Sequence, residues 1–585
     1  MRPLRSPRQR PSVAEPFLAR LAARLRREPQ AIAFAAVELS RQGLAATHVT
    51  LGSLSAHAAR AARQLDLAGV APGDRVVLSL DDPRRFVPFA IAVLARGAVM
   101  VPLPSLAELG GGGPRSERVR GVLHDARPRA AVVGDAAGWS ALGASLAIVD
   151  ASAADATPLE DAAEAAGERA TTDEPLAIRA SAPSATAVLQ YTSGSTGDPK
   201  GVIVTHGNVA ANCHAIGAAA QFTRRDTMLS WLPLHHDMGL FGSFLSCLYW
   251  SVPTYLMRPR SFLGRPASWL GAIARFGATL TVAPTFAYSL TGRRVPDEQL
   301  AGLDLSAFRL AFVGAEPIDA DALEAFARRL APHGFDARAL YPVYGLAEAT
   351  LAVAFPSPGS GLAVDVVRRR ALVAQGRAEP CAPNAADAMR VVSVGRSVPG
   401  LAIRVVDPVT GAPCPERVVG EIRVDGASIS PGYFGHPERE GELRTGDLGY
   451  EANGELFVVD RLKDLVIVAG QNHSPADLER ALLGIAGVRS GRAVAFSVAG
   501  EASELLVIAA EIEPKARRPV ADIESEVRAA VLARTGLSLH RFVPVAPGSL
   551  ELTTSGKLRR RASRDSFLAG TLALFATQRP LSTAS

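Results

Sequence analysis

Across residues 184–345 the chain alternates short apolar runs with amphipathic stretches, a pattern that leaves few folds open to it. Residues 185–190, 228–232, 279–283 and 309–313 read as strands, and helical spacing appears at 206–219, 239–250 and 321–330. Strands that alternate with helices build a mainly parallel sheet, because a parallel neighbour is reached only through a crossover. Residues 73–104 show a similar preceding unit. From 395 to 460 the runs become short and β-like, broken by Gly and Pro. After 462 comes a smaller α/β segment with a helix at 476–483 and a strand at 504–512. The expected class is α/β, and 585 residues are too many for one core. In such sheets ligands sit beyond the carboxyl ends of the strands.

The formal net charge is +6, but Arg2, Arg5, Arg8 and Arg10 contribute four of those charges with no acid nearby. A nucleic-acid partner therefore gains little support. The same basic start lacks an apolar stretch, so it reads as a disordered tail over 1–30 and not as a secretory signal. No run of 18 apolar residues exists to suggest stable membrane insertion; the nearest, 87–103, is broken by Arg96. Cys213, Cys247, Cys381 and Cys414 lack metal-type spacing and read as ordinary thiols of a reducing, cytoplasmic compartment.

Only four of the 63 basic residues are lysines. A lysine is a compact point charge able to bridge oxygens in a crowded site, where the arginine fork fits poorly. Lys200 closes YTSGSTGDPK, Lys463 lies in VVDRLKDLV and Lys557 closes LTTSGK, whereas Lys515 in EIEPKARR belongs to no motif. Thr192, Ser193, Gly194, Ser195, Thr196, Gly197 and Lys200 read as a hydroxyl-rich loop between a strand and a helix. Glycines let the backbone wrap a phosphate while amides, hydroxyls and an ammonium neutralise its oxygens. It is not a Walker loop, since neither Lys200 nor Lys557 is followed by a hydroxyl.

Residues 190–202 (QYTSGSTGDPKGV) resemble the AMP-binding signature of the adenylate-forming superfamily, and the resemblance runs in order over about 34–570. It implies ATP and Mg²⁺ as cofactors. By the same resemblance Gly314, Ala315 and Glu316 (in VGAEP) line adenine, and Tyr344 and Gly345 (in YGLAE) follow, the tyrosine ring stacking on the base. Glu348 holds magnesium, which takes one or two carboxylates plus phosphate oxygens. Asp447 (in TGDLG) and Arg461 contact the ribose, and Lys463 marks a hinge. Lys557 reaches into the site to bridge carboxylate and α-phosphate. Asp460 stands where the family usually has Gly, and Glu551 where it has Pro. The implied organisation is an AMP-binding domain over 31–461, with an insertion at about 351–389 and a β-rich part at about 395–460. A mobile C-terminal domain over 462–585 carries the lysine.

WLPLHHDMGL at 231–240 is similar to the segment of fatty acyl-AMP ligases, with His236 beside the acyl carboxylate. APTFAYSL at 283–290 and the pattern formed by Gly470, Asn472, His473, Pro475, Asp477 and Glu479 resemble the same group. The resemblance implies a fatty-acid substrate, an acyl-adenylate intermediate and a carrier-protein phosphopantetheine as acceptor. The insertion is associated in that group with restricted domain rotation. Phe241, Phe244, Leu245 and Leu248 are candidates to wall an acyl tunnel, although core packing explains them equally. An acyl-CoA synthetase and a nucleotide-binding pseudoenzyme are the alternatives.

Overall fold

The structure is a computed structural model that describes residues 14–106, 114–140, 146–151, 175–193, 199–436, 439–462, 464–468, 471–500, 504–514, 518–552 and 558–575. Gly194, Ser195, Thr196, Gly197, Lys463, Gly470, Lys515 and Lys557 lie outside these residues.

Two sheets dominate. One has six strands in the order Ala147–Asp150, Ala130–Val133, Arg75–Ser79, Val99–Pro102, Thr186–Ser193 and Pro199–Thr205. The other has seven, running Leu340–Pro342, Leu310–Val313, Leu280–Ala283, Met228–Ser230, Thr254–Met257, Ile32–Ser40 and Gly43–Thr50. Neighbours are parallel except for the last pair of each sheet. The strands expected at 228–232, 279–283 and 309–313 all fall in the seven-stranded sheet. Its inner strands Leu280–Ala283 and Leu310–Val313 are almost wholly apolar, which is what burial on both faces demands.

An antiparallel sheet follows, ordered Leu401–Val406, Gly420–Gly426, Leu443–Ala452 and Glu455–Arg461. Beyond it, Val488–Ala499, Glu504–Ile512 and Arg541–Val545 form a three-stranded sheet with a separate core around Ile508, Ile523 and Val527.

Three expectations are corrected. The segment expected to be a phosphate loop does not lead directly from strand to helix: the flanking strands Thr186–Ser193 and Pro199–Thr205 pair antiparallel as the two arms of a hairpin. The β-branched run Val202, Ile203, Val204 suits a strand better than a helix start. The helix begins only at His206, where Thr205 and Asn208 form a reciprocal capping box. Within the expected 1–30 tail, Phe17–Arg27 is a helix that buries Phe17, Leu18 and Leu21. Finally, Phe241, Phe244 and Leu245 are fully buried in the core and Leu248 nearly so. They lie in a π-helix, Met238–Leu245, and the short α-helix after it.

Candidate active site

A cavity of about 2180 Å³ opens where the carboxyl ends of the seven-stranded sheet meet the antiparallel sheet and the C-terminal segment. Ala315, Glu316, Tyr344, Gly345, Glu348, Lys200, His236, Asp447 and Arg461, spread over more than 260 residues of chain, all line it.

Two clusters carry the polar chemistry. In the first, the Tyr344 hydroxyl donates to Asp447 Oδ2 at 2.6 Å, and Arg461 Nε donates to Asp447 Oδ1 at 2.9 Å. Asp447 and Arg461 are direct partners across adjacent antiparallel strands, so sheet register fixes their pairing. Burial, with Asp447 beside it, pushes the Tyr344 phenol far above its ordinary range, so it remains a donor. In the second, the Tyr433 hydroxyl donates to Glu348 Oε1 at 2.8 Å, while Lys200 Nζ stands 5.6 Å from the centroid of the same ring. One tyrosine thus joins the phosphate-loop lysine to the candidate metal carboxylate.

At the wall expected to face adenine, Ala315 takes φ +67, a left-handed conformation of the kind that costs of order 1–3 kcal/mol and persists where the surroundings over-determine it. Glu316 Oε1 accepts from the Phe286 amide at 2.5 Å. Gly314 lies behind the wall: a Cβ there would stand 2.9 Å from Val343 Cγ2, so its smallness serves strand packing. His236 faces the cavity with Nδ1 2.7 Å from Asp237 Oδ1, leaving Nε2 for a substrate. His235 is buried, and burial lowers its pKa to about 3, so it is neutral at physiological pH. From the π-helix, Met238 and Gly242 line the cavity, joined by Trp231, Val282 and Leu290 along an apolar arm. Among the described residues no cluster of three or more His, Cys, Asp or Glu could hold a metal ion. A cation here would rest on Glu348, whose Oε2 is not the atom that Tyr433 engages, and on substrate oxygens, a donor set that suits Mg²⁺.

Residues 21–434 match the family described as AMP-binding enzyme. The chain belongs to the AMP-binding enzyme family. It is 36% identical over 566 residues to the long-chain-fatty-acid–AMP ligase FadD26 of Mycobacterium marinum, covering 91% of this chain and 93% of that protein. Over 409 residues it is 37% identical to the medium-chain-fatty-acid–[acyl-carrier-protein] ligase JamA of Moorena producens, covering 66% and 68% of the two chains. A solved structure from a study of fatty acyl-adenylate ligases from E. coli and L. pneumophila superposes with a TM-score of 0.84 at 31% identity, covering 95% of this chain and 98% of that one.

For an AMP-binding enzyme, several residues at or beside the cavity escaped the sequence reading: Tyr433 and Gly242, which line it, and the helix asparagines Asn208 and Asn212, which bond the segments around it. Tyr433 sits in an unremarked SPGYFG turn. The asparagines did leave a signal, since two of them four residues apart in an apolar helix are unfavourable unless bonded.

Proposed function

We propose that the chain is a fatty acyl-AMP ligase that passes its acyl group to the phosphopantetheine thiol of an acyl carrier protein, in polyketide or lipopeptide assembly. The carrying observation is the convergence of Tyr344–Asp447–Arg461 and Lys200–Tyr433–Glu348 on one cavity with an apolar arm. Asp447, held by two donors, suits the ribose hydroxyls of ATP, and the Ala315 bend suits the base. Bound Mg²⁺, held by Glu348 and the phosphates, supplies neutralising charge to the phosphate oxygens. A carboxylate oxygen of the fatty acid attacks the α-phosphorus in line. The bond from that phosphorus to the bridging oxygen breaks, and pyrophosphate leaves with the electron pair. The acid reacts as its anion, so no proton is abstracted from it. His236 stands where it can orient the carboxylate, and Lys557, by its motif, supplies a charge bridging the reacting oxygens. The thiol then loses its proton to solvent and attacks the acyl carbon; the bond from that carbon to the phosphate oxygen breaks, and AMP departs with the electron pair.

A second acceptor, coenzyme A, would give an acyl-CoA synthetase. An ion pair between Arg369, within the 351–389 segment, and Asp477, in the helix Pro475–Arg480, favours the carrier reading. It tethers the insertion to the part of the chain expected to rotate. JamA, a carrier-protein ligase, supports the same choice. ATP–pyrophosphate exchange cannot separate the two. Incubation with ATP, a panel of fatty acids and either holo-carrier protein or coenzyme A does: acyl-carrier forms, and efficient acyl-CoA formation would overturn the reading.

A further inference from the structure

Asn212 lies on the helix His206–Ala219, directly after the phosphate-loop hairpin, and is completely buried. Its Oδ1 accepts from the Ala352 amide at 3.0 Å, and its Nδ2 lies 3.2 Å from Ala349 O, 3.0 Å from Ala352 O and 3.1 Å from Ser428 Oγ. These contacts bracket Thr350, which adopts φ +69 and ψ −54. That is close to the strained γ-turn conformation and an outlier for a β-branched residue. Strain of this kind persists only where neighbours over-determine it, and it marks functional loops. The Thr350 hydroxyl donates to Ser428 O at 2.8 Å, and the Ser430 amide donates to Glu348 O at 2.8 Å. One turn earlier on the helix, Asn208 Nδ2 reaches Ala427 O and Ile429 O. The two amides therefore clasp the loop carrying Glu348 to the segment that leads to Tyr433, whose hydroxyl meets the Glu348 carboxylate.

We propose that Asn212 is a positioning residue for the metal carboxylate: it holds the strained turn at Thr350 so that Glu348 presents the oxygen not engaged by Tyr433 to the nucleotide-bound cation. The inference rests on the reading of Glu348 as the cation ligand. A polar amide buried in an apolar helix is otherwise a cost, and here it is spent on the two backbone segments flanking that carboxylate.

Mn²⁺ substituting for Mg²⁺, titrated by electron paramagnetic resonance into the full-length protein with ATP, reads cation binding directly. Asn212→Ser is expected to weaken Mn²⁺ binding by about tenfold, the range typical of partners that orient a ligand. Ser428→Ala leaves the three Asn212 contacts to Ala349 and Ala352 in place, and so folds even if the first variant does not; it should weaken binding by roughly two- to threefold. Fatty-acid KM should stay within about twofold in both, since neither side chain lines the cavity. Mn²⁺ affinity unchanged in Ser428→Ala and in folded Asn212→Ser overturns the proposal. Glu348→Gln separates the two claims. If it leaves Mn²⁺ binding intact, the metal reading of Glu348 fails. If it weakens binding while the other variants do not, only the role of Asn212 fails.

Discussion

Asp460 shows how one side chain can be visible in a sequence without its consequence being so. It stands out only as an acid where the family usually has glycine. In the fold it is packed beside Ser474, Asp464 and Arg560, and burial raises its carboxyl pKa to about 6 despite help from the Arg461 amide at 2.8 Å. Arg560 offsets this only in part, because its side chain is bonded to Glu479 at 2.6 and 2.7 Å. The folded pKa lies above the unfolded value, so the folded state is favoured at low pH. Stability falls as pH rises through the window from about 4 to about 6 and stays reduced above it. Asp460→Asn keeps the acceptor for the Arg461 amide and removes the charge. It should stabilise the protein by roughly 1–3 kcal/mol at pH 7.5, with the gain gone near pH 4. Thermal melts at both pH values test this, and equal midpoints at pH 7.5 would refute it. By contrast, Tyr344, Glu348, Asp447 and Arg461 were legible as candidates because they sit in short motifs that resemble those of the family, and the fold brings all four to one cavity. Tyr433 and Asn212 were not, because their roles lie in bonds to partners 85 and 137 or more positions away.

The hairpin of Thr186–Ser193 and Pro199–Thr205, the short strand Tyr344–Gly345 with the loop after it and the π-helix Met238–Leu245 are local structures whose meaning comes from what they approach. Gly345 is the clearest case. A Cβ there would lie 1.9 Å from Leu351 O, the same carbonyl that accepts from the Leu346 amide at 2.9 Å. Gly345→Ala must therefore push apart the turn that sets both Tyr344 and Glu348. A displacement of about 1 Å at a reacting site can cost on the order of a hundredfold in rate, and adenylation should fall by at least that much. Circular dichroism should remain native. Pyrophosphate exchange near the parental rate would show that the turn tolerates a methyl group. Periodicity located the strands here to within three residues, because burial on both faces leaves apolar runs that read plainly. It missed that 199–205 is a strand, since seven residues after a glycine loop carry no helical or strand period long enough to decide.

How the two ends of the chain are joined is decided by long-range ion pairs. Arg369 meets Asp477, which also takes Arg534 Nε at 3.0 Å, and Arg480 Nη2 donates to Ile318 O at 3.3 Å. Burial, with Arg534 and Arg480 nearby, lowers the Arg369 pKa to about 10, so it is still charged at pH 7. Removing one partner of a buried pair leaves the other uncompensated, a loss of a few kcal/mol that the remaining Arg534 contact reduces. Arg369→Ala should thus loosen the C-terminal segment, raising acyl-CoA formation by about tenfold for each ~1.4 kcal/mol of restraint lost. Adenylation should change far less, and an unchanged acyl-CoA background would argue against the latch. The alternation of apolar and amphipathic runs was enough to specify an α/β fold, and the motifs were enough to specify nucleotide chemistry, because both are written in residues close together in the chain. The joining of Lys200 to Glu348 through Tyr433, the bracing of Thr350 by Asn212 and the burial of the π-helix phenylalanines in the core were fixed by folding. Each depends on distance in space and on loss of water, which no local run of residues encodes.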